Sequence, residues 1–522
     1  MGRPFAPLHL QPESNIPLYA QLRDQMRALV HSGDLQPGDR IPASRELANQ
    51  LQIHRTTVAT AYAELESEGL IRGFVGRGTY ISESAAPREF TPPPREQGGV
   101  LRWEALFADE RAGDGLSRLM PEVPEGTIAF ISARPSEEFF PVEDVRTCAN
   151  AVLKREGRDI LQLGASDGYG PLKQVLLEIL RAEGIAVSER QLLITDGCQQ
   201  SLDLLAKAFL RPGDAVLVEN PAYPGALSIL SAARVRCLPA AVETSRSRQN
   251  YTGLDVKAAE AVLEQNRVKM ILVTPDFQNP TGTTLPVSAR QKLLELAARH
   301  KVPIVEDHIY ARLRLRGNPV SSLKAMDRHG IVIQIDSFSK VAFPGLRVGW
   351  CAGPERVIER LRLLKQSSDL HTDQLAQATL AEFVKRGMLE KHMKRMVRVY
   401  AKRLEALEKS MERHLPGDVQ WTRPDGGMSV WITLPPGLDA GELLIHARER
   451  GVLFVPGRYF YFQNPQTNTL RLGFAGLDEG DIAQGLAKLG TVIDTEMRKK
   501  QKGGRRAMAE HPQEARTRVA LI

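Results

Sequence analysis

From about Thr127 onward the chain alternates short apolar runs with helical stretches, and this alternation narrows the possible architectures more than any other feature. The runs include Leu192-Leu193-Ile194, Ala215-Val216-Leu217-Val218, Lys269-Met270-Ile271-Leu272-Val273, Pro303-Ile304-Val305 and Ile331 to Ile335. Strands interleaved with helices build an α/β domain around a mostly parallel sheet. In such sheets ligands bind at the carboxyl ends of the strands. The polar residues that follow each run are therefore the first candidates for chemistry.

Those residues form a coherent set. After Ile194 comes Thr195-Asp196-Gly197-Cys198-Gln199-Gln200 and then a helix, so a glycine turn presents free N–H groups to an anion such as a phosphate. Tyr223 stands in a proline-fixed turn, suited to stacking on a planar ring. Asn279 follows the next strand, and Asp307 and Tyr310 the one after it. The last run delivers Ser337-Phe338-Ser339-Lys340, with Arg347 seven residues on. Lysine forms Schiff bases, arginine and serine hydroxyls hold phosphates, and a carboxylate facing a pyridine nitrogen keeps pyridoxal phosphate (PLP) an electron sink. Taken singly, each piece has a plain structural explanation: Lys340 as a surface lysine, Tyr223 as packing, Asp307 as a cap. Together, at successive strand ends, they predict a PLP site with Lys340 as the Schiff-base lysine, Asp307 opposite the ring nitrogen, and Asn279 and Tyr310 near the phenolic oxygen.

With those residues in place, residues 127–495 resemble a fold-type-I PLP aminotransferase. The resemblance assigns Gly197, Cys198, Gln199, Ser337 and Arg347 to the phosphate, Tyr223 to ring stacking, and Lys340 and Asp307 to catalysis. It extends to Asp425-Gly426-Gly427-Met428, Val455-Pro456-Gly457 and Leu470-Arg471-Leu472-Gly473-Phe474 of a small domain, where Arg471 would receive a substrate or effector α-carboxylate. One departure stands out. The family's Leu-Gln-Tyr-Gly, whose tyrosine reaches the partner subunit's phosphate, reads Leu161-Gln162-Leu163-Gly164 here. Leu163 lacks that hydroxyl, and Tyr169 is the residue available to compensate.

The first 82 residues have a different pattern. Pro17 to Ser32 carries an apolar helical face ended by Gly33, and Ser44 is the expected N-cap of a second helix. A third helix is expected from His54 to Glu68, and two short strands around Gly76-Arg77-Gly78 complete the order of a winged helix-turn-helix. Arg45, His54, Arg55, Thr56 and Thr57 open the second and third helices, and Arg77 and Gly78 tip the wing. These are the positions from which such modules reach base edges and phosphates of duplex DNA. The stretch resembles the GntR-type winged helix, through Pro37-Gly38-Asp39-Arg40-Ile41-Pro42, Ser44-Arg45-Glu46-Leu47-Ala48 and Arg55-Thr56-Thr57-Val58 among others.

Charge does not decide the question of DNA. Of the net +7, Met497 to Ile522 supplies 8 − 2 = +6, whereas Met1 to Ser82 has eight arginines against eight acids. The basic segment 496–522 reads as a disordered tail, and residues 83–126, with Pro92-Pro93-Pro94 and Gly98-Gly99, as a linker interrupted by a short helix near Arg102 to Arg111. Four scattered cysteines and the lack of an apolar signal or spanning run point to a cytoplasmic protein outside the membrane, without metal.

A GntR-like winged helix joined to an aminotransferase-like body is the layout of MocR-type transcription regulators. The resemblance implies a homodimer on a double-stranded DNA operator, with an amino compound, or PLP itself, sensed at Lys340. The alternative is an active aminotransferase with an accessory DNA-binding module.

Overall fold

The computed structural model describes residues 8–14, 16–74, 78–82, 123–244 and 253–510. Two compact units emerge, residues 1–107 and 108–522.

The first unit contains α1 (Leu18–Ser32), β1 (Arg40–Ile41), α2 (Ser44–Leu51), α3 (Arg55–Ser67), β2 (Ile71–Phe74) and β3 (Gly78–Ile81). α1 stops where Gly33 takes the left-handed conformation at φ +81°. Leu22, Met26 and Val30 of α1 meet Leu47 of α2, Val58, Ala61 and Leu65 of α3, and Ile71 and Ile81 of the wing. Two corrections apply. The N-cap of α2 is Ala43 and Ser44 is already helical. The wing also gains β1, which pairs antiparallel with β3 to give the order β1-β3-β2. Two residues paired to an edge are too short to announce themselves in sequence.

Salt bridges fasten this unit at one end. Arg23 of α1 meets Glu64 of α3 at 2.7 Å, and Arg27 meets Glu68. The acids that cancel the module's net charge are thereby consumed at the carboxyl end of α3, away from His54 and Arg55.

The second unit holds β4 (Ile128–Ala129), β5 (Leu192–Thr195), β6 (Ala215–Asn220), β7 (Arg236–Glu243), β8 (Gly253–Leu254), β9 (Val268–Val273), β10 (Ile304–Asp307), β11 (Val332–Ser337), β12 (Gly349–Ala352), β13 (Gln420–Trp421), β14 (Ser429–Thr433), β15 (Val452–Leu453), β16 (Val455–Pro456) and β17 (Thr469–Gly473). The large sheet has eight strands in the order β5-β12-β11-β10-β9-β6-β7-β8. β11, β10, β9, β6 and β7 run parallel, as expected. β12 enters antiparallel between β11 and β5, and β8 is antiparallel to β7. β13, β14, β17 and β16 make a separate antiparallel sheet, which carries Arg471.

A buried arginine organises the loop between these sheets. Arg290, with no exposed surface, pairs with Asp276 at 2.8 Å and donates to the carbonyls of Leu285 (2.8 Å), Ser321 (2.9 Å) and Pro275 (3.1 Å). Loop 275–285 carries Asn279, so this guanidinium sets where that amide points.

The tail departs from expectation. The last helix, Glu479–Glu510, runs on past 496 into the segment 496–522 expected to be disordered, of which 511–522 lie outside the described residues. Val492 and Ile493 are buried and Met497 packs on the same core, so the apolar face outlasts the motif that marked the domain's end. Asp494 and Arg498, one turn apart, pair at 2.9 Å and support it. Residues 83–122, with the helix expected near Arg102 to Arg111, and residues 511–522 lie outside the described residues. Among the described residues no helix is long and apolar enough to cross a membrane, and no side-chain group is arranged to hold a metal.

Replacing Arg290 by methionine leaves Asp276 only the longer contact with Arg314 at 3.4 Å and takes a donor from three carbonyls, and removing one partner of a buried pair costs ~3–5 kcal/mol. Urea unfolding of Arg290→Met is expected to show a loss of that size, against little change for an exposed control such as Arg398→Met.

Candidate functional site

A cavity of about 130 Å³ opens at the carboxyl ends of β10 and β9, lined by Cys198, Gln199, Tyr223, Thr274, Asn279, Asp307, Ile309, Tyr310, Ser339, Lys340 and Arg347. Eight of the ten residues expected to bind a cofactor thus face one space. The other two, Gly197 and Ser337, do not line it.

At one end is an anion cradle. Gly197, at φ +93°, caps the helix Cys198–Phe209, whose first N–H groups are left for a ligand. A Cβ at Gly197 would stand 3.0 Å from Arg347 Nη2. Arg347 donates to the carbonyl of Asp196 at 2.7 Å, which holds its guanidinium at the mouth of this helix. Gln199 braces the adjoining wall through Gly225 O at 3.1 Å and Tyr223 OH at 3.4 Å.

Ser337, by contrast, is sealed off. Its hydroxyl donates to Val348 O at 2.9 Å and shares a hydrogen bond with Ser339 Oγ at 2.8 Å. Ser339 is the hydroxyl that faces the cavity. A strand-end serine looks like a ligand in sequence, and only the bend after β11 shows which of the two is turned inward.

The middle of the cavity belongs to Asp307. This buried carboxyl accepts the amide of Ile309 at 3.2 Å, and among the described residues no cation pairs with it. Burial, reinforced by the nearby charge of Asp336, pushes its pKa up to about 7. A buried acid without a cation is a place where a positively charged ring nitrogen fits. Lys340 Nζ donates to Ala133 O at 2.7 Å and lies 5.6 Å from the centre of the Tyr310 ring. Burial, and then the Arg471 charge, lower its pKa to about 8, so a fraction of the amine is neutral near physiological pH.

Arg471 does not line the cavity but adjoins it through Asn279. It donates to Asn279 Oδ1 at 3.1 Å and to Ile131 O at 2.7 Å, and lies 5.0 Å over the Phe460 ring. Asn279 Nδ2 in turn reaches Tyr310 OH at 3.4 Å. Arg471 is 6 % exposed, its Nε has no partner, and burial pulls its pKa down to about 10. A buried N–H left without a partner calls for an explanation, and an anion is one group that would satisfy it. The carbonyls of Ile131 and Ala133 escape a sequence reading, because a backbone acceptor leaves no residue signal. Thr274 and Ile309 stand inside or beside the motifs already quoted, with nothing in sequence to single them out.

Leu163 is 71 % exposed. The hydroxyl of Tyr169 bonds Glu156, and Tyr169 does not line the cavity of its own chain.

In the winged helix, Arg45, His54, Arg55 and Thr56 are exposed and Thr57 half-buried at the amino ends of α2 and α3. His54 Nδ1 meets Thr56 Oγ1 at 2.8 Å. Gly78, at φ +110°, leaves room for Arg40, whose Nε would sit 3.0 Å from a Cβ there. Arg40 and Arg72 are exposed cations on the wing that the sequence reading did not single out. Arg77 lies outside the described residues.

A winged helix and a cleft fitted for a phosphorylated, nitrogen-bearing ring on one chain define a class: DNA-binding folds fused to an aminotransferase-type fold. The family model for bacterial regulatory proteins of the gntR family matches residues 18–81, and that for aminotransferase class I and II matches residues 135–489. The chain therefore belongs to the aminotransferase class I and II family, in its gntR-fused MocR branch. It is 30 % identical to the probable rhizopine catabolism regulatory protein MocR of Rhizobium meliloti, over 92 % of this chain and 95 % of that one. It is 37 % identical to aromatic-amino-acid aminotransferase 1 of Thermococcus litoralis, over 77 % of this chain and 97 % of that protein. Among solved structures it superposes on LysN, the α-aminoadipate aminotransferase of Thermus thermophilus complexed with N-(5'-phosphopyridoxyl)-L-leucine. That match has a TM-score of 0.69 and 34 % identity, over 76 % of this chain and all of LysN.

Asp307 makes a test of the site's electrostatics possible. Its pKa rises from an unfolded value of ~3.9 to about 7 in the fold. Across that window the folded chain keeps a proton that the unfolded chain has lost, so Asp307's contribution to stability declines as pH rises. Asp307→Asn, measured in cofactor-free protein by urea unfolding, is expected to match the parent near pH 4. It should exceed it by about 4 kcal/mol near pH 8. A gap that does not widen with pH would mean Asp307 is not held in its raised state.

Proposed function

We propose that this protein is a PLP-dependent, DNA-binding transcription regulator that reads an amino compound at the Lys340 site. The observation that carries the reading is the joining, on one chain, of the gntR-family match at residues 18–81 to the aminotransferase-family match that contains Lys340, Asp307 and Arg471. Similarity to MocR across nine-tenths of both chains supports regulation over the alternative of an aminotransferase with an accessory module.

Bound PLP supplies an aldehyde that condenses with amines and a pyridine nitrogen that draws electrons. In this reading the protein's own groups do the rest. Lys340 Nζ, partly neutral at physiological pH, anchors the cofactor. The amino end of the helix Cys198–Phe209, Arg347 and Ser339 hold the phosphate, and Tyr223 covers the ring. Asp307 faces the nitrogen, and Asn279 and Tyr310 the phenolic oxygen. Arg471 receives a carboxylate on the incoming amine through its free Nε. On DNA, Arg45 and His54 to Thr57 enter the major groove while Arg40, Arg72, Arg77 and Gly78 approach the backbone. A homodimer sets two such modules on two half-sites. Free PLP as the effector is the variant of this reading in which no second amine is needed.

Fluorescence anisotropy with operator DNA tests both halves. Arg55→Ala is expected to weaken specific binding by ~1–3 kcal/mol, the range for a base-reading arginine. In Lys340→Ala, DNA affinity should persist while its response to amino compounds disappears. An unchanged response in that variant would remove Lys340 from the sensing step, and steady transamination without specific DNA binding would favour the enzyme reading.

A further inference from the structure

Close to Asp307 lies a second buried carboxylate, Asp336, 1 % exposed. β10 and β11 pair in register with Asp307 opposite Ile335, which puts Asp336 one residue further along the neighbouring strand. Side chains alternate faces along a strand, so Asp336 is directed to the opposite face of the sheet from Asp307, and its charge adds to burial in opposing Asp307's ionisation. Asp336, however, is surrounded by compensating groups. His308 Nδ1 stands 3.2 Å from its Oδ2, the Arg312 guanidinium bonds the same oxygen, and Ser337 N donates to Oδ1 at 2.6 Å. Arg312 continues to Glu183, 2.7 Å from its Nε, and lies 5.3 Å over the Trp350 ring. His308, Asp336, Arg312 and Glu183 thus form one chain of contacts that runs from the buried Asp336 out to the half-buried Glu183, and none of them lines the cavity.

The other titratable groups around Asp307 leave Asp336 as the one that matters. Glu219 of β6 shares a small void with Asp307, but burial lifts its pKa to about 8, so it is largely neutral at pH 7. Cys198, Tyr223 and Tyr310 are all pushed upward, chiefly by burial, and carry no charge there. Glu306 of β10 is directed elsewhere, to the amides of Leu323 (2.7 Å) and Lys324 (2.9 Å) and the side chain of Gln334 (3.2 Å). His308 and then Lys340 favour the carboxylate form of Asp307. Burial is the largest obstacle to ionising Asp307, and Asp336 is the charge that adds to it.

We propose that Arg312 and Asp336 are positioning residues of the cofactor site: by neutralising Asp336, Arg312 lets Asp307 present a carboxylate to a pyridine nitrogen at physiological pH. The inference rests on the assignment of Asp307 made above. Asp336 also carries the turn to Ser337 through the Ser337 amide, so it cannot be replaced by an apolar residue without loosening the loop that bears Lys340. A carboxylate is retained there, and its charge is then balanced from the side away from the cavity.

The test uses cofactor-free full-length protein, titrated with PLP by absorbance from about pH 6 to about pH 9. The quantity read is the pH at which affinity is half-maximal. In Arg312→Gln the unbalanced Asp336 charge raises the Asp307 pKa, so the midpoint is expected to move up by about one pH unit or more. Glu183→Gln, which removes only the outer acid, should leave it in place. Arg312→Gln/Asp336→Asn, which removes both charges, should return it to within about 0.3 of the parent, a tolerance small beside an ion-pair shift. An unmoved midpoint in Arg312→Gln, an equal movement in Glu183→Gln, or no return in the double variant overturns the proposal. If Arg312→Gln does not fold, Asp336→Asn decides: a midpoint lowered by about one unit supports it and an unmoved one overturns it. Failure of the parent to bind PLP, or equal binding by Asp307→Asn at every pH, would instead strike at the cofactor assignment itself.

Discussion

The site depends on how closely two backbones approach. β12 enters the sheet antiparallel, with Gly349 opposite Ser337. A Cβ at Gly349 would stand 2.6 Å from the Cα of Gly197, and one at Gly197 would press on Arg347. Only two glycines permit this contact. It brings the amino end of the phosphate-facing helix against the loop that carries Lys340 and Arg347. The clasp between Ser337 Oγ and Val348 O then fixes the length of that loop. Lys340 is consequently held over Tyr310 and beside Asp307 by strand pairing, without relying on its own long side chain.

Charge matching is the second constraint. Buried ions in this fold are paired where they serve architecture: Arg290 with Asp276, and Arg312 with Asp336 and Glu183. They lack an opposite charge where the cavity begins. Among the described residues Asp307 has no cation and Arg471 no acid. An unmatched charge in low dielectric is costly to keep. Glu306, also buried without a cation, is met by the amides of Leu323 and Lys324, whereas Asp307 accepts one amide and Arg471 keeps a bare Nε.

Much of this was legible in the chain because strand ends concentrate chemistry. Asn279, Asp307, Tyr310, Lys340 and Arg347 each follow a short apolar run, and the sheet brings those ends together. What sequence did not reveal depends on contacts between distant residues. Glu183 and Arg312 are 129 positions apart, and neither stands in a motif that would link it to Asp307. The choice between Ser337 and Ser339 turns on one bend, and the Ala133 and Ile131 acceptors belong to the backbone. The helical course past residue 496 was hidden because basic composition outweighed a continuing apolar face in the reading. In the winged helix the neutral net charge was uninformative for a reason the structure makes plain. Glu64 and Glu68 are paired with Arg23 and Arg27 at the far end of α3, and no acid stands in the first turn of α3 beside Arg55.

Regulation requires that a ligand distinguish between states, since one that binds two states equally shifts nothing. The geometry offers a source of such a difference within the second unit. Lys340 belongs to the loop after β11 of the large sheet, whereas Arg471 lies on β17 of the separate antiparallel sheet. Loop 275–285 stands between them, and its Asn279 touches both Arg471 and Tyr310. Arg471, Asn279 and Tyr310 thus link the two sheets through their side chains. In the proposed reading, a ligand that touches both sheets is the kind that would tell two arrangements of them apart, because only such a ligand has a contact that differs between them.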